Sequence, residues 1–132
     1  MGDLNTAHED IHVTRSRMGP DLAAATPEER ENFEKLLNIG FTDAFICLHP
    51  YTTNAYTFRA HGSNSKRRKE GWRLDYFLIG NELKHYIKSV EHRPDVDFSD
   101  HCPIVVKKGL KLANSHTPSH IKYQLFTKQG LE

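Results

Sequence analysis

The chain has 132 residues, a length that suits one domain with a modest core, given the usual ~100–200 residues per domain. Eighteen Lys and Arg against seventeen Asp and Glu leave a formal charge of +1, which excludes a polycation gripping nucleic acid by bulk charge and leaves only local patches for that task. A mean hydropathy of −0.65, with no apolar run near the ~18 residues of a membrane helix, excludes a membrane-helix protein, and two cysteines without CxxC spacing, Cys47 and Cys102, exclude a disulfide scaffold.

In chain order, Gly2-Asp3-Leu4-Asn5-Thr6-Ala7-His8 opens the sequence without a basic and then apolar leader, so no export signal is expected and the setting reads as intracellular and reducing. Residues 1–35 carry eight acidic groups against four basic ones. Thr26 can cap a helix, Pro27 suits its first position and Glu29 completes a capping box. Phe33, Leu36 and Leu37 follow at helical spacing and Gly40 supplies a stop, which predicts a helix over 27–39. A strand is expected at 55–58. Residues 60–71, rich in Gly, Ser, Asn, Lys and Arg, read as a loop, and between 59 and 73 six basic residues face Glu70 alone. In 72–79, apolar Trp72, Leu74, Tyr76 and Leu78 alternate with Arg73, Asp75, Phe77 and Ile79, the pattern of a strand covered on both faces. A short helix is expected after Asn81, with Leu83, Tyr86 and Ile87 inward, and further strands near 88–93 and at 103–107. The domain therefore spans 1–108, and 109–132 reads as a mobile tail with a few apolar residues at Ile121, Tyr123, Leu125 and Phe126.

Three clusters set charged or amide groups beside apolar strand residues: Gly2 to His8, Gly71-Trp72-Arg73-Leu74-Asp75-Tyr76, and Ser99-Asp100-His101-Cys102-Pro103-Ile104. Singly, each is also what a turn or a surface Asp-His pair produces. In this order, with GDLNTAHEDI, TPEERENF, YTF, GWRLDYFLI and SDHCPI spread over residues 2–108, the chain resembles the C-terminal half of the exonuclease III family of apurinic/apyrimidinic endonucleases, within the endonuclease/exonuclease/phosphatase superfamily. The resemblance implies an α/β fold, half of a four-layered sandwich with a mainly antiparallel mixed sheet and flanking helices. It also implies a metal-dependent phosphodiesterase that incises DNA 5′ to an abasic site in base excision repair, using Mg2+ or, alternatively, Mn2+.

By that resemblance Asp3 activates or orients the attacking water, and Asn5 supports Asp3 and the phosphate. His101 contacts the scissile phosphate, oriented by Asp75, and Asp100 lies near the metal through water. Phe58, Trp72 and Leu74 match a pocket for the flipped-out abasic sugar, although Leu74 suits an ordinary strand core equally well. Lys66, Arg67, Arg68, Lys69 and Arg73 match a DNA-contacting segment, whose plainer reading is a solvated charge run. His12, Gly19, Leu22 and Arg59 depart from the family pattern at positions that bear on DNA grip. The family's N-terminal half, with its Asn, main metal-binding Glu, Tyr and further Asp, has no counterpart in this sequence. The implied partners are abasic DNA and a polypeptide supplying that half; the implied compartment is the nucleus in a eukaryote and the cytoplasm otherwise. The alternative is a non-catalytic relative that binds nucleic acid or a protein partner.

Overall fold

The computed structural model describes residues 1–14, 22–59, 70–96 and 98–109, together with the backbone of 123–126. The elements are β1 (Gly2–Asp3), α1 (Pro27–Asn38), β2 (Phe41–Asp43), α2 (Ala44–Leu48), β3 (Asp75–Tyr76), β4 (Leu78–Gly80), β5 (Ile87–His92), β6 (Ile104–Lys108) and β7 (Tyr123–Phe126), with 3₁₀ turns at Asp10–His12 and Asn81–Tyr86. They form three small antiparallel sheets, β1-β3, β2-β4 and β5-β6-β7, so every strand pair among the described residues is antiparallel.

Helix α1 follows its local signals. The Thr26 hydroxyl accepts from the Glu29 amide at 3.3 Å, and the Glu29 carboxylate accepts from the Thr26 amide at 2.9 Å. That amide bond also holds the Glu29 carboxyl below its usual range. Gly40, at φ +119°, ends the helix by donating to Leu37 O at 3.0 Å, in a backbone region that glycine enters without a Cβ clash. Phe33 is buried, Leu36 and Leu37 half-buried.

The expected continuous strand over 72–79 is divided, because it serves two partners in succession. β3 pairs with β1 through Gly2↔Tyr76 and Asp3↔Asp75, and β4 pairs with β2 through Thr42↔Ile79 and its neighbours. Between them Phe77 O accepts the amide of Ala44 at 2.9 Å. The strand expected at 55–58 reduces to bridges at Phe58, which pairs with both Trp72 and His101. The 3₁₀ segment after Gly80 carries Leu83 at 47% exposure rather than inward, since in a 3₁₀ helix side chains three apart eclipse, and Leu83 and Tyr86 fall on a row that the short segment does not turn fully inward; Ile87, already in β5, is buried. Within the stretch read as a tail, Tyr123–Phe126 forms an edge strand on β6, in the register Ile104↔Phe126 to Lys107↔Tyr123.

Two apolar clusters result. One joins α2, β4, β5 and β6 through Phe45, Ile79, Ile87, Val90, Ile104 and Val106. The other gathers Ala7, Val13, Ala24, Ala25 and Leu74, with Leu22, Phe58 and Trp72 at its margin. Between the strands and helices Arg73, 1% exposed, pairs with buried Asp43 at 2.6 Å and lies over the rings of Tyr76 and Phe45, 4.5 and 5.5 Å from their centroids. An ion pair so thoroughly desolvated stands only because both charges have partners. Asp43 also caps α2 by accepting the Phe45 amide at 3.0 Å.

Candidate active site

The β1-β3 pairing sets Asp3 directly opposite Asp75, and the Phe58 bridge draws His101 beside the same strands. His101 Nδ1 lies 2.7 Å from Asp75 Oδ2. An ionised carboxylate only accepts, so Nδ1 carries the hydrogen and Nε2 is the atom the ring presents outward. Nε2 lies 3.9 Å from Asp3 Oδ2. One donor atom from each of Asp3, Asp75 and His101 falls within 4.8 Å of the others. The three side chains retain 17–22% of their accessibility, so the cluster is half-sheltered yet reachable.

Asp3 is held locally. Asn5, at φ +50°, turns the chain so that its amide donates to Asp3 Oδ1 at 2.8 Å, a conformation Asn tolerates better than most residues. Tyr76 then fixes the course of the chain from Thr6 to His8: its hydroxyl lies 2.6 Å from Thr6 O and 2.9 Å from Arg73 O, and accepts the His8 amide at 3.2 Å. Burial pushes this phenol up to about 12, so it stays protonated as a structural pin. The His8 ring stacks on Phe33 at 4.6 Å and lies 2.5 Å from Glu34 through Nε2, tying the loop to α1.

A cavity of about 440 Å³ adjoins the cluster, lined by Asp3, Asp75 and His101 together with apolar Val96, Phe98, Pro103 and Ile104. Cys102 also lines it, but burial pushes its thiol up to about 11, which leaves no thiolate for nucleophilic chemistry near neutrality. Two carboxylates offering oxygen suit a hard divalent cation that keeps its waters, whereas the Nδ1 position of His101 is already committed to Asp75. The donor set therefore fits a hard divalent cation held mainly through carboxylate oxygen, with the imidazole Nε2 turned toward Asp3.

The other candidates distribute unevenly. Asp100 lies outside the three-residue group, and its Oδ1 accepts from the Ser99 hydroxyl at 3.1 Å. The Phe58 ring sits 5.0 Å from His101 and 5.6 Å from Trp72, so these aromatics flank the site, while Leu74 is 4% exposed within the core. Arg73, expected to contact phosphate, is instead 1% exposed with its guanidinium paired to Asp43, which leaves it no surface to offer a phosphate. Lys66, Arg67, Arg68 and Lys69 lie outside the described residues, as does Gly19. Of the positions that depart from the family pattern, Leu22 packs at the core margin, the Arg59 guanidinium lies 5.7 Å from the Tyr56 ring centroid, and His12 is buried against Arg73. Sequence reasoning passes over Thr57 and Tyr76, whose buried hydroxyls organise the backbone around the cluster; a Thr and a Tyr among apolar strand residues give no local sign of that role.

No protein-family model matches the sequence. The chain is 42% identical over 105 residues to the DNA repair nuclease APEX1 of Danio rerio, covering 80% of this chain and 34% of that protein. It is similar in structure to an AP endonuclease, LMAP, from Leishmania major, with TM-score 0.73 and 32% identity over 79% of this chain and 32% of that one. A 3′ phosphatase from Neisseria, NExo, bound to a product DNA hairpin, superposes with TM-score 0.73 and 25% identity over 82% of this chain and 43% of that one. The chain spans between 16% and 41% of the length of the curated relatives it matches.

Proposed function

We propose that the chain, similar in sequence and structure to part of the exonuclease III family of apurinic/apyrimidinic endonucleases, carries the Asp3–Asp75–His101 portion of a metal-dependent DNA phosphodiesterase centre that incises 5′ to abasic sites in base excision repair. The observation that carries this reading is the Asp75–His101 contact at 2.7 Å facing Asp3 across 3.9 Å, beside a cavity large enough for a sugar-phosphate.

Each side chain then has a task. Asp75 accepts the Nδ1 proton and holds the ring in one tautomer, so Nε2 faces the scissile phosphate and, when protonated, donates to its non-bridging oxygen as charge develops. The Asp3 carboxylate, steadied by the Asn5 amide, orients water and takes its proton. A bound Mg2+ would supply neutralisation of phosphate charge, with Asp3 and Asp75 as its oxygen ligands and Asp100 reached through water; Mn2+ offers the same coordination. Phe58 and Trp72 flank the approach to His101, where an unstacked sugar can be received.

The basic segment Lys66-Arg67-Arg68-Lys69 contacts DNA phosphates in this reading. Support comes from its anchors: Phe58 and Trp72, on either side of residues 60–69, pair with each other, and Phe58 also pairs with His101. The relatives' greater length leaves room for a further polypeptide part against the apolar residues that line the cavity, and a nuclear or cytoplasmic DNA-repair setting follows from the substrate. The test is incision of a duplex bearing one abasic-site analogue, with and without Mg2+. Incision that requires Mg2+ and is lost in Asp3→Asn supports the proposal; salt-sensitive DNA binding with no incision under either condition replaces it with the non-catalytic reading.

A further inference from the structure

Thr57 is 1% exposed, and its bonds run to both partners of the central contact. Its hydroxyl oxygen accepts the amides of Leu74 at 2.9 Å and Asp75 at 3.0 Å. Its carbonyl accepts the amide of Cys102, the residue after His101, at 2.7 Å. Its own amide donates to Trp72 O at 3.0 Å. One residue therefore fixes the backbone on the Asp75 side through its side chain and on the His101 side through its main chain. The two carriers come from chain segments 26 residues apart, in a region where the expected strand has shrunk to single bridges. Among the described residues no strand ladder joins these two segments directly, so the separation depends on few bonds.

We propose that Thr57 is a positioning residue that sets the spacing of the Asp75 carboxylate and the His101 ring. The proposal rests on reading that pair as the reaction centre. Replacing the hydroxyl by a methyl of similar shape, Thr57→Val, leaves two consecutive buried amides without an acceptor, and they turn toward another acceptor or toward water. Asp75 moves with them and loosens from His101. Thr57→Ser keeps the oxygen and the spacing.

The test follows the His101 Nδ1–H proton by NMR in the full chain. In the wild type and in Thr57→Ser it gives a slowly exchanging signal, shifted downfield by the carboxylate. In Thr57→Val the signal is lost or exchanges as fast as a solvent-exposed ring, while the amide spectrum remains that of the folded chain. In the incision assay the same variant lowers kcat about a hundredfold, the cost of a misplacement of ~1 Å, with KM for DNA unchanged; Thr57→Ser restores it. A folded Thr57→Val with the wild-type His101 signal overturns the proposal. Should Thr57→Val fail to fold, amide exchange in the wild type decides: Leu74 and Asp75 amides must exchange as slowly as that of Cys102, and fast exchange overturns it. A wild-type chain that shows the His101 signal but never incises removes the functional reading and leaves the role of Thr57 standing on the resonance alone.

Discussion

Lowering the pH from 7.5 to 5.5 destabilises this fold through two buried histidines. Both nitrogens of His12 face donors: Nδ1 accepts the Glu9 amide at 3.1 Å, and Nε2 lies 3.2 Å from Arg73 Nη2. A neutral ring can accept at only one of them and an imidazolium at neither. Burial, then the Arg73 charge, brings His12 down to about 3. His92, stacked on Phe45 at 4.2 Å with its buried ring nitrogens lacking a well-formed hydrogen bond among the described residues, is brought down to about 4 by burial and then by Arg73. In the unfolded chain both return to about 6.5. The unfolded state therefore binds more protons between about pH 6.5 and these lowered values, so stability is complete above that window and falls as pH drops through it. From pH 7.5 to 5.5 each histidine removes on the order of 1 kcal/mol, and the two together about 3 kcal/mol. Urea unfolding at constant ionic strength measures the loss, and His12→Asn cuts it by about half. A midpoint unchanged between the two pH values, or an identical fall in His12→Asn, refutes the reasoning.

Thr26→Ala removes the α1 cap and costs about 1 kcal/mol, visible as a lower urea midpoint with faster exchange of amides in the first turn. Burial pushes Tyr76 up to about 12, against ~10 for an ordinary phenol, so absorbance at alkaline pH shows one phenol lagging or released only on unfolding; Tyr76→Phe abolishes that late step. Asp43→Ala strands the Arg73 charge and uncaps α2 at once, at a cost of about 3–5 kcal/mol, enough to leave much of the chain unfolded by circular dichroism at 25 °C, whereas the same substitution at exposed Asp95 has little effect.

What is legible in the sequence is local. Helix α1 can be bounded because its cap, first-turn Pro, apolar spacing and glycine stop all lie within fifteen residues and need no partner. The segment Phe41–Leu48 escapes notice because β2 and α2 are three and five residues long, too short to display either period, and their stability comes from pairing with β4 and packing on β5. The division of 72–79 likewise depends on which strand each half meets, information held at Gly2–Asp3 and Phe41–Asp43. The meeting of Asp3, Asp75 and His101 is legible only through the resemblance, since spacing along the chain cannot bring three remote segments together.

Arg73 marks where a sequence pattern misleads. Alternation assigns it to the face opposite Leu74, and the basic residues before it make that face look like one turned to DNA. Yet both faces of this segment are covered, so the polar position needs a buried counterpart rather than solvent, and Asp43 supplies it. The family resemblance adds that His12 departs from the usual acid at its position. In the structure Asp43 is in contact with the buried guanidinium, which also lies beside His12 and near His92. The charge that would have gripped a phosphate instead holds together the strand that carries Asp75, and acid sensitivity follows from the same arrangement.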